Sequence, residues 1–165
     1  MEAKRMDEVI SYREATEKDA PTICELGQLL NSVHHAARPD IYAAATPEPT
    51  RDLPHWMSFF ENTSQIVFIA HVGLHAAGFI TASLSSSSGP LMEPLSFVRI
   101  GSVCVAEKYW GKSIGRGLVQ KVQKWAAERD AKDIRLSVWA FNAPAIRLYA
   151  ELGFETRAFE MGMRL

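Results

Sequence analysis

The sequence has little of what would mark a cross-linked, membrane-spanning or metal-holding protein. Cys24 and Cys104 are its only cysteines. Two thiols so far apart suit neither a disulfide framework nor a zinc site, so no metal is expected and a reducing, cytoplasmic compartment is. No apolar run approaches the roughly 18 residues that cross a bilayer. Met1 to Ile10 is charged and lacks the apolar core of a secretory signal. Net charge is only −1, which argues against a dedicated nucleic-acid binder. There is no internal repeat. The one low-complexity patch, Ser85 to Ser88 followed by Gly89-Pro90, reads as a loop between two strands.

What is present is ordinary globular composition, 47% apolar and 22% charged over 165 residues. That suits one compact domain, residues 1–165, around one sizeable core. The charge is unevenly spread. Residues 21–100 carry 3 basic and 6 acidic side chains, and residues 101–165 carry 11 basic and 7 acidic. A basic part suits an anionic ligand and an acidic part a cationic one, although solvated helix faces explain the same pattern.

The apolar periodicities alternate between those of strands and helices. Ile10 to Arg13 is a short strand, and a helix begins at Thr16 with Ile23, Leu26, Leu29 and Leu30 as its apolar stripe. Asn31 to Thr50, with three prolines, reads as irregular, and a short helix is expected over Leu53 to Glu61. Ile66 to Val72 and Ala76 to Ser83 form a hairpin about Gly73, and Phe97 to Val105 is a further strand. Ser113 to Arg129 is an amphipathic helix. Ile134 to Ala140 is a strand, and Asn142 to Gly153 bounds another helix. Phe154 to Leu165 reads as a last strand. The order implies an α/β (α+β) domain with a mixed, mostly antiparallel central sheet of about six to seven strands flanked by helices.

Two stretches carry chemistry. From Val103 to Leu118 a buried strand ends, a turn containing Gly111 and Gly115 follows, and a helix starts. Unpaired N–H groups at a helix start, approachable where glycine removes the side chain, make an anion site. Lys112 and Arg116 add charge to it. Ordinary turn chemistry explains the same glycines, and the spacing is neither a P-loop nor a dinucleotide fingerprint. In the second stretch Asn142 and Tyr149 lie two helical turns apart on one face. Read singly, Asn142 is an N-cap and Tyr149 a core aromatic with its hydroxyl reaching water.

Together these residues resemble a known family. Leu136-x-Val138-x-x-x-Asn142-x-x-Ala145-x-x-Leu148-Tyr149-x-x-x-Gly153-Phe154 is similar to the second core motif of the GNAT superfamily of acyl-CoA-dependent N-acetyltransferases. Val103-x-Val105 with Gly111 to Leu118 resembles its first core motif, and Tyr12 to Ala20 its opening strand and helix. The resemblance implies acetyl-CoA as cosubstrate, with Val103, Cys104 and Val105 pairing with the pantetheine like an added strand. Gly111, Lys112, Ser113, Ile114, Gly115 and Arg116 would wrap the pyrophosphate, Trp110 would cover part of the pantetheine or adenine as an apolar lid, Asn142 would hydrogen-bond the pantetheine, and Tyr149 would protonate the departing thiolate. Cys104, whose side chain alternates away from those of its valine neighbours, is expected to pack rather than react.

The sequence departs from the family pattern at Trp110, where Arg or Gln is usual, at Ser113, where Gly is usual, and at Gly101, where many relatives carry a carboxylate. Glu93, His34, His35 and Asp40 are the substitute bases. His34, Tyr42 and Glu93 are the candidates for acceptor binding. The implied acceptor is a primary amine of a small molecule or peptide, transfer is direct through a tetrahedral intermediate, and a homodimer is possible. The alternative is a non-catalytic acyl-CoA-binding module of the same fold.

Overall fold

The fold is described by a computed structural model covering residues 9–165. Met1 to Glu8, part of the charged stretch without an apolar segment, lie outside the described residues. Five strands form one sheet in the order β1 (Ile10–Glu14), β2 (Gln65–Val72), β3 (His75–Gly89), β4 (Met92–Val105) and β5 (Asp133–Arg135). The first four are antiparallel neighbours, and β5 runs parallel to β4. Antiparallel strands close through tight turns, as at Gly73 with φ 58°, but a parallel pair needs a crossover. Helix α3 (Ile114–Ala127) supplies it. The remaining helices are α1 (Ala20–Ala37), α2 (Leu53–Met57) and α4 (Ala143–Glu151).

Both faces of the sheet are covered, so the central strands bury alternate residues on each side. On one face Ile23, Cys24 and Leu26 of α1 and Trp56 of α2 pack on Val67, Ile69, Phe79 and Cys104. On the other, Leu118, Val119, Val122 and Trp125 of α3 pack on Ala70, Ile80, Val98 and Ile100. Gly117 lets α3 approach β1, since a Cβ there would stand 2.1 Å from the Tyr12 hydroxyl.

Several expectations are corrected. The sheet has five strands among the described residues, not six or seven. The strand expected over Ile134 to Ala140 is confined to Asp133–Arg135, because β4 bends away from it. Thr81 of β3 faces both Gly101 and Ser102, a β-bulge that increases twist and ends the ladder with β5 at Arg99. The Ser102 N–H donates to the buried Thr81 hydroxyl at 2.9 Å, fixing the bulge. Phe154 to Leu165 makes no ladder among the described residues. Ser85 to Ser88 belong to β3, opposite Leu95 to Phe97 and their neighbours, rather than to a loop. Helix α1 runs on to Ala37, since no breaker precedes Pro39, so His34 and His35 are helical. The helix expected to reach Glu61 stops at Met57 and continues as a 3-10 turn.

Candidate active site

The bulge creates the site. Phe97 to Arg99 are paired with β3 on one side and β5 on the other. Beyond Ser102 only β3 remains. Ala106 N–H donates to Ala77 O at 2.8 Å, so Ala106, and Cys104 two residues earlier, turn their backbone groups towards β3. Val103 and Val105 turn theirs the other way, towards the gap left where β5 has ended. An extended ligand can add to such an edge as a strand does. Cys104 therefore turns its backbone groups away from that edge. Its backbone is in phase with β3, and its thiol donates to Leu26 O at 3.2 Å inside the α1 core. Burial pushes that thiol up to about 12, so it is protonated at neutral pH and is no nucleophile.

At the end of this edge the chain makes a tight turn into α3. Gly111 has φ 77° and Ser113 φ 60°, both left-handed. Ser113 thus keeps the conformation that glycine would adopt freely, at a strain of roughly 1 to 2 kcal/mol. The Ser113 side chain makes no capping bond, so N–H groups of the first turn of α3 have no partner from it. Ile114 contributes backbone only, its side chain being 1% exposed in the core. Lys112 is exposed and makes no ion pair among the described residues, whereas Arg116 pairs with Glu151 of α4. Trp110 is 61% exposed, yet its indole N–H donates to Val105 O at 2.8 Å. It therefore occupies one acceptor on the open edge.

Helix α4 closes the other side. Asn142 caps it, accepting from Ala145 N–H at 3.3 Å, and Gly153 ends it at φ 93°. Gly115 seats α4 against α3, for a Cβ there would lie 3.4 Å from Leu148 Cδ2 and 3.9 Å from Val105 Cγ2. Tyr149 packs against the same core cluster as Val103 and Val105, edge-on to Phe154. Burial raises its phenol above the ordinary tyrosine range. Tyr149 is therefore protonated at neutral pH, as a general acid must be.

A group of rings bridges the end of α1 and the chain leading into α4. The His34 and Tyr42 rings lie 4.6 Å apart, and Tyr42 meets Trp139 edge-on. The Trp139 indole N–H donates to the Tyr42 hydroxyl at 2.8 Å. Phe141 stacks beside Trp139 and meets His34 edge-on. Burial lowers the His34 imidazole below its ordinary range, which keeps it neutral. Asp40 is tied to Arg38 and Arg164, each at 2.7 Å, so its carboxyl is held well below the usual range and is a poor base. His35 Nδ1 lies 2.7 Å from Tyr42 O. Glu93 sits at the hairpin end of β4, ten residues before Val103 and on the order of 30 Å along the strand.

The model of the Acetyltransferase (GNAT) family matches residues 30–154. The chain belongs to that family. It is 34% identical over 113 residues to N-alpha-acetyltransferase 30 of Xenopus laevis, a match covering 64% of this chain and 39% of that protein. The chain thus spans well under two thirds of that relative. A mutant Bacillus halodurans protein shares the fold at a TM-score of 0.85 and 24% identity, covering 94% of this chain and 99% of that one. A predicted acetyltransferase from Clostridium acetobutylicum, with acetyl-CoA, superposes at 0.72 with 13% identity, covering 94% and 96%.

In this GNAT chain Trp139 and Phe141 join the group without having been candidates from the sequence. Their signal was visible as two large aromatics at alternate positions directly before the Asn142 cap. The Gly101–Ser102 bulge was likewise not among the expectations. There the signal was a glycine inside a strand, which marks a bulge or close approach. A Cβ on Gly101 would meet Thr81 Oγ1 at 2.8 Å. No helix among the described residues is long and apolar enough to cross a membrane.

Proposed function

We propose that this chain is an acetyl-CoA-dependent N-acetyltransferase acting on a primary amine of a small molecule or peptide. The observation that carries the reading is the half-unpaired end of β4, where Val103 and Val105 face a gap bordered by a left-handed turn and by protonated Tyr149. Pantetheine amides would pair with the Val103 and Val105 backbone, and the pyrophosphate would lie on the N–H groups from Gly111 to Arg116. Asn142 has an amide nitrogen left after capping with its oxygen, suited to a pantetheine carbonyl.

In the reaction the amine nitrogen attacks the thioester carbon and an oxyanion forms, stabilised by a backbone N–H of the open edge. The C–S bond then breaks, Tyr149 gives its proton to the sulfur, and the amine's surplus proton passes to a base. His34, neutral and on the aromatic group beside Asn142, is best suited to that task. Tyr42, Trp139 and Phe141 offer faces for the acceptor. The relation to an N-alpha-acetyltransferase favours an amine of peptide type within that class.

One observation favours a second reading, a non-catalytic acyl-CoA-binding module. Gly101 leaves β4 without a carboxylate two residues ahead of Val103. Calorimetry with acetyl-CoA, followed in the same sample by thiol release against a panel of amines, separates the two. Binding with amine-dependent release supports the enzyme. Binding without release from any amine supports the module.

A further inference from the structure

The ladder between β4 and β5 ends on two cations. Its last rung sets Arg99 opposite Arg135, just before the gap beside Val103 and Val105. Neighbouring strands lie about 4.8 Å apart, so like charges across a rung repel. Arg135 is compensated. Its guanidinium lies 3.9 Å from the centroid of the Phe97 ring, and it donates to Asp133 at 2.8 Å. Arg99 is exposed, lies 5.9 Å from the same ring and makes no ion pair among the described residues.

Both arginines face the side on which the acceptor rings gather. Val98, Ile100 and Ile134 pack in the core under α3, so by alternation Phe97, Arg99, Asp133 and Arg135 stand on the α1 face. The His34, Tyr42 and Trp139 rings meet at the end of α1. The carboxylates around these groups are already shared. Asp133 joins Arg135 and Arg157, and Asp40 joins Arg38 and Arg164. Glu155 adds a second partner to Arg157. Five arginines thus meet three carboxylates, and Arg99 is the one without a share. A rung that costs stability at the mouth of a site is one that a ligand completes. A guanidinium holds a carboxylate through two parallel hydrogen bonds.

We propose that Arg99 selects acceptors that carry a carboxylate beyond the reacting amine, as a peptide does with Asp or Glu at its second or third residue. The proposal rests on the N-acetyltransferase reading above and names the acceptor class within it. From Arg99 to Val103 the strand covers on the order of 10 Å, a span that one or two extended peptide residues and a side chain bridge. With its amine at the thioester, such a peptide runs along the α1 face past Gly101, which presents no side chain. Its carboxylate then lies against Arg99 and offsets the repulsion from Arg135.

Matched peptides with Glu or Gln at the second or third residue test this on the full chain. Binding is read by fluorescence anisotropy with coenzyme A present, and turnover by thiol release with acetyl-CoA. At one of the two positions the Glu peptide should bind about tenfold more tightly than its Gln twin and show a kcat/KM about tenfold higher. Arg99→Gln should bring the twins within about twofold, while Arg99→Lys keeps a preference of about threefold or more. Unchanged acetyl-CoA affinity and thermal midpoint in both variants separate lost selectivity from a lost fold or cofactor site. Equal binding of the twins at both positions overturns the proposal. So does a preference that survives Arg99→Gln, or the failure of every peptide to bind. A Glu preference in binding without thiol release refutes the enzyme reading and leaves the charge selection standing. Release without a preference does the reverse.

Discussion

Phe97 to Arg99 and Val103 to Val105 belong to one strand yet meet different neighbours. The first stretch has strands on both sides, with Phe97 buried and Val98 in the core under α3. The second has β3 on one side and an open gap on the other, with left-handed residues and helix starts around it. The two differ through Gly101 and Ser102, which share one partner residue in Thr81. A fully paired strand has no backbone group to offer a ligand. A half-paired strand in a buried setting has an edge that needs one. Full pairing and an open edge are thus divided along a single strand.

The division can be broken at the chemistry first. Tyr149→Phe keeps the ring and removes the proton, so kcat should fall about 100- to 1,000-fold with acetyl-CoA affinity little changed. Because burial raises this phenol, wild-type activity should persist to about pH 10 and decline only above the folded pKa, where the acid is lost. Steady-state rates against pH check both points. An unchanged kcat would remove Tyr149 from the acid's role.

Gly78→Ala breaks the shared scaffold instead. Its Cβ would stand 2.3 Å from the Cys104 carbonyl oxygen, which is backbone and cannot swing aside. A loss of about 3 kcal/mol is expected, read by denaturant titration. Gly115→Leu acts on the open half alone. It wedges α4 from α3, and calorimetry should show acetyl-CoA affinity reduced tens-fold while the sheet survives.

Cys104→Ala sharpens the contrast between the two faces. It trims the α1 core and should cost about 1 to 2 kcal/mol in stability while leaving kcat unchanged. Trp110→Phe gives the smallest effect. Removing the indole donor frees Val105 O, and one released hydrogen bond of about 1 kcal/mol should raise acetyl-CoA affinity about fivefold. A fall in affinity would make the indole part of the binding surface.

Much of the helical framework was legible because its signals are local. Ile114, Leu118, Val122 and Trp125 fall at helical spacing, and Asn142 and Gly153 bracket α4 with a cap and a left-handed stop. The paired strands β2 and β3 alternate or run apolar as buried strands do. The sheet beyond β4 was not legible. Leu136 to Ala140 has the composition of a strand, but pairing depends on where β4 bends, and Thr81 decides that from 21 positions before Ser102. His34 and Tyr42 were candidates on position alone. Their company with Trp139 and Phe141 comes from 97 residues away, as in the Trp139–Tyr42 bond.

By itself the sequence determined the family pattern, the glycine-containing turn at the start of α3 and the placing of Asn142 and Tyr149 two turns apart on α4. Each follows from spacing along a helix or at its ends. Only the tertiary structure decided that Ser113 takes the left-handed conformation and that Trp110 turns back onto Val105. It alone decided that the Cys104 backbone pairs in phase with β3 and that β4 is open beyond its bulge. These depend on which backbone groups are left without a partner once every strand has found its neighbour, a sum over the whole sheet that no local stretch contains.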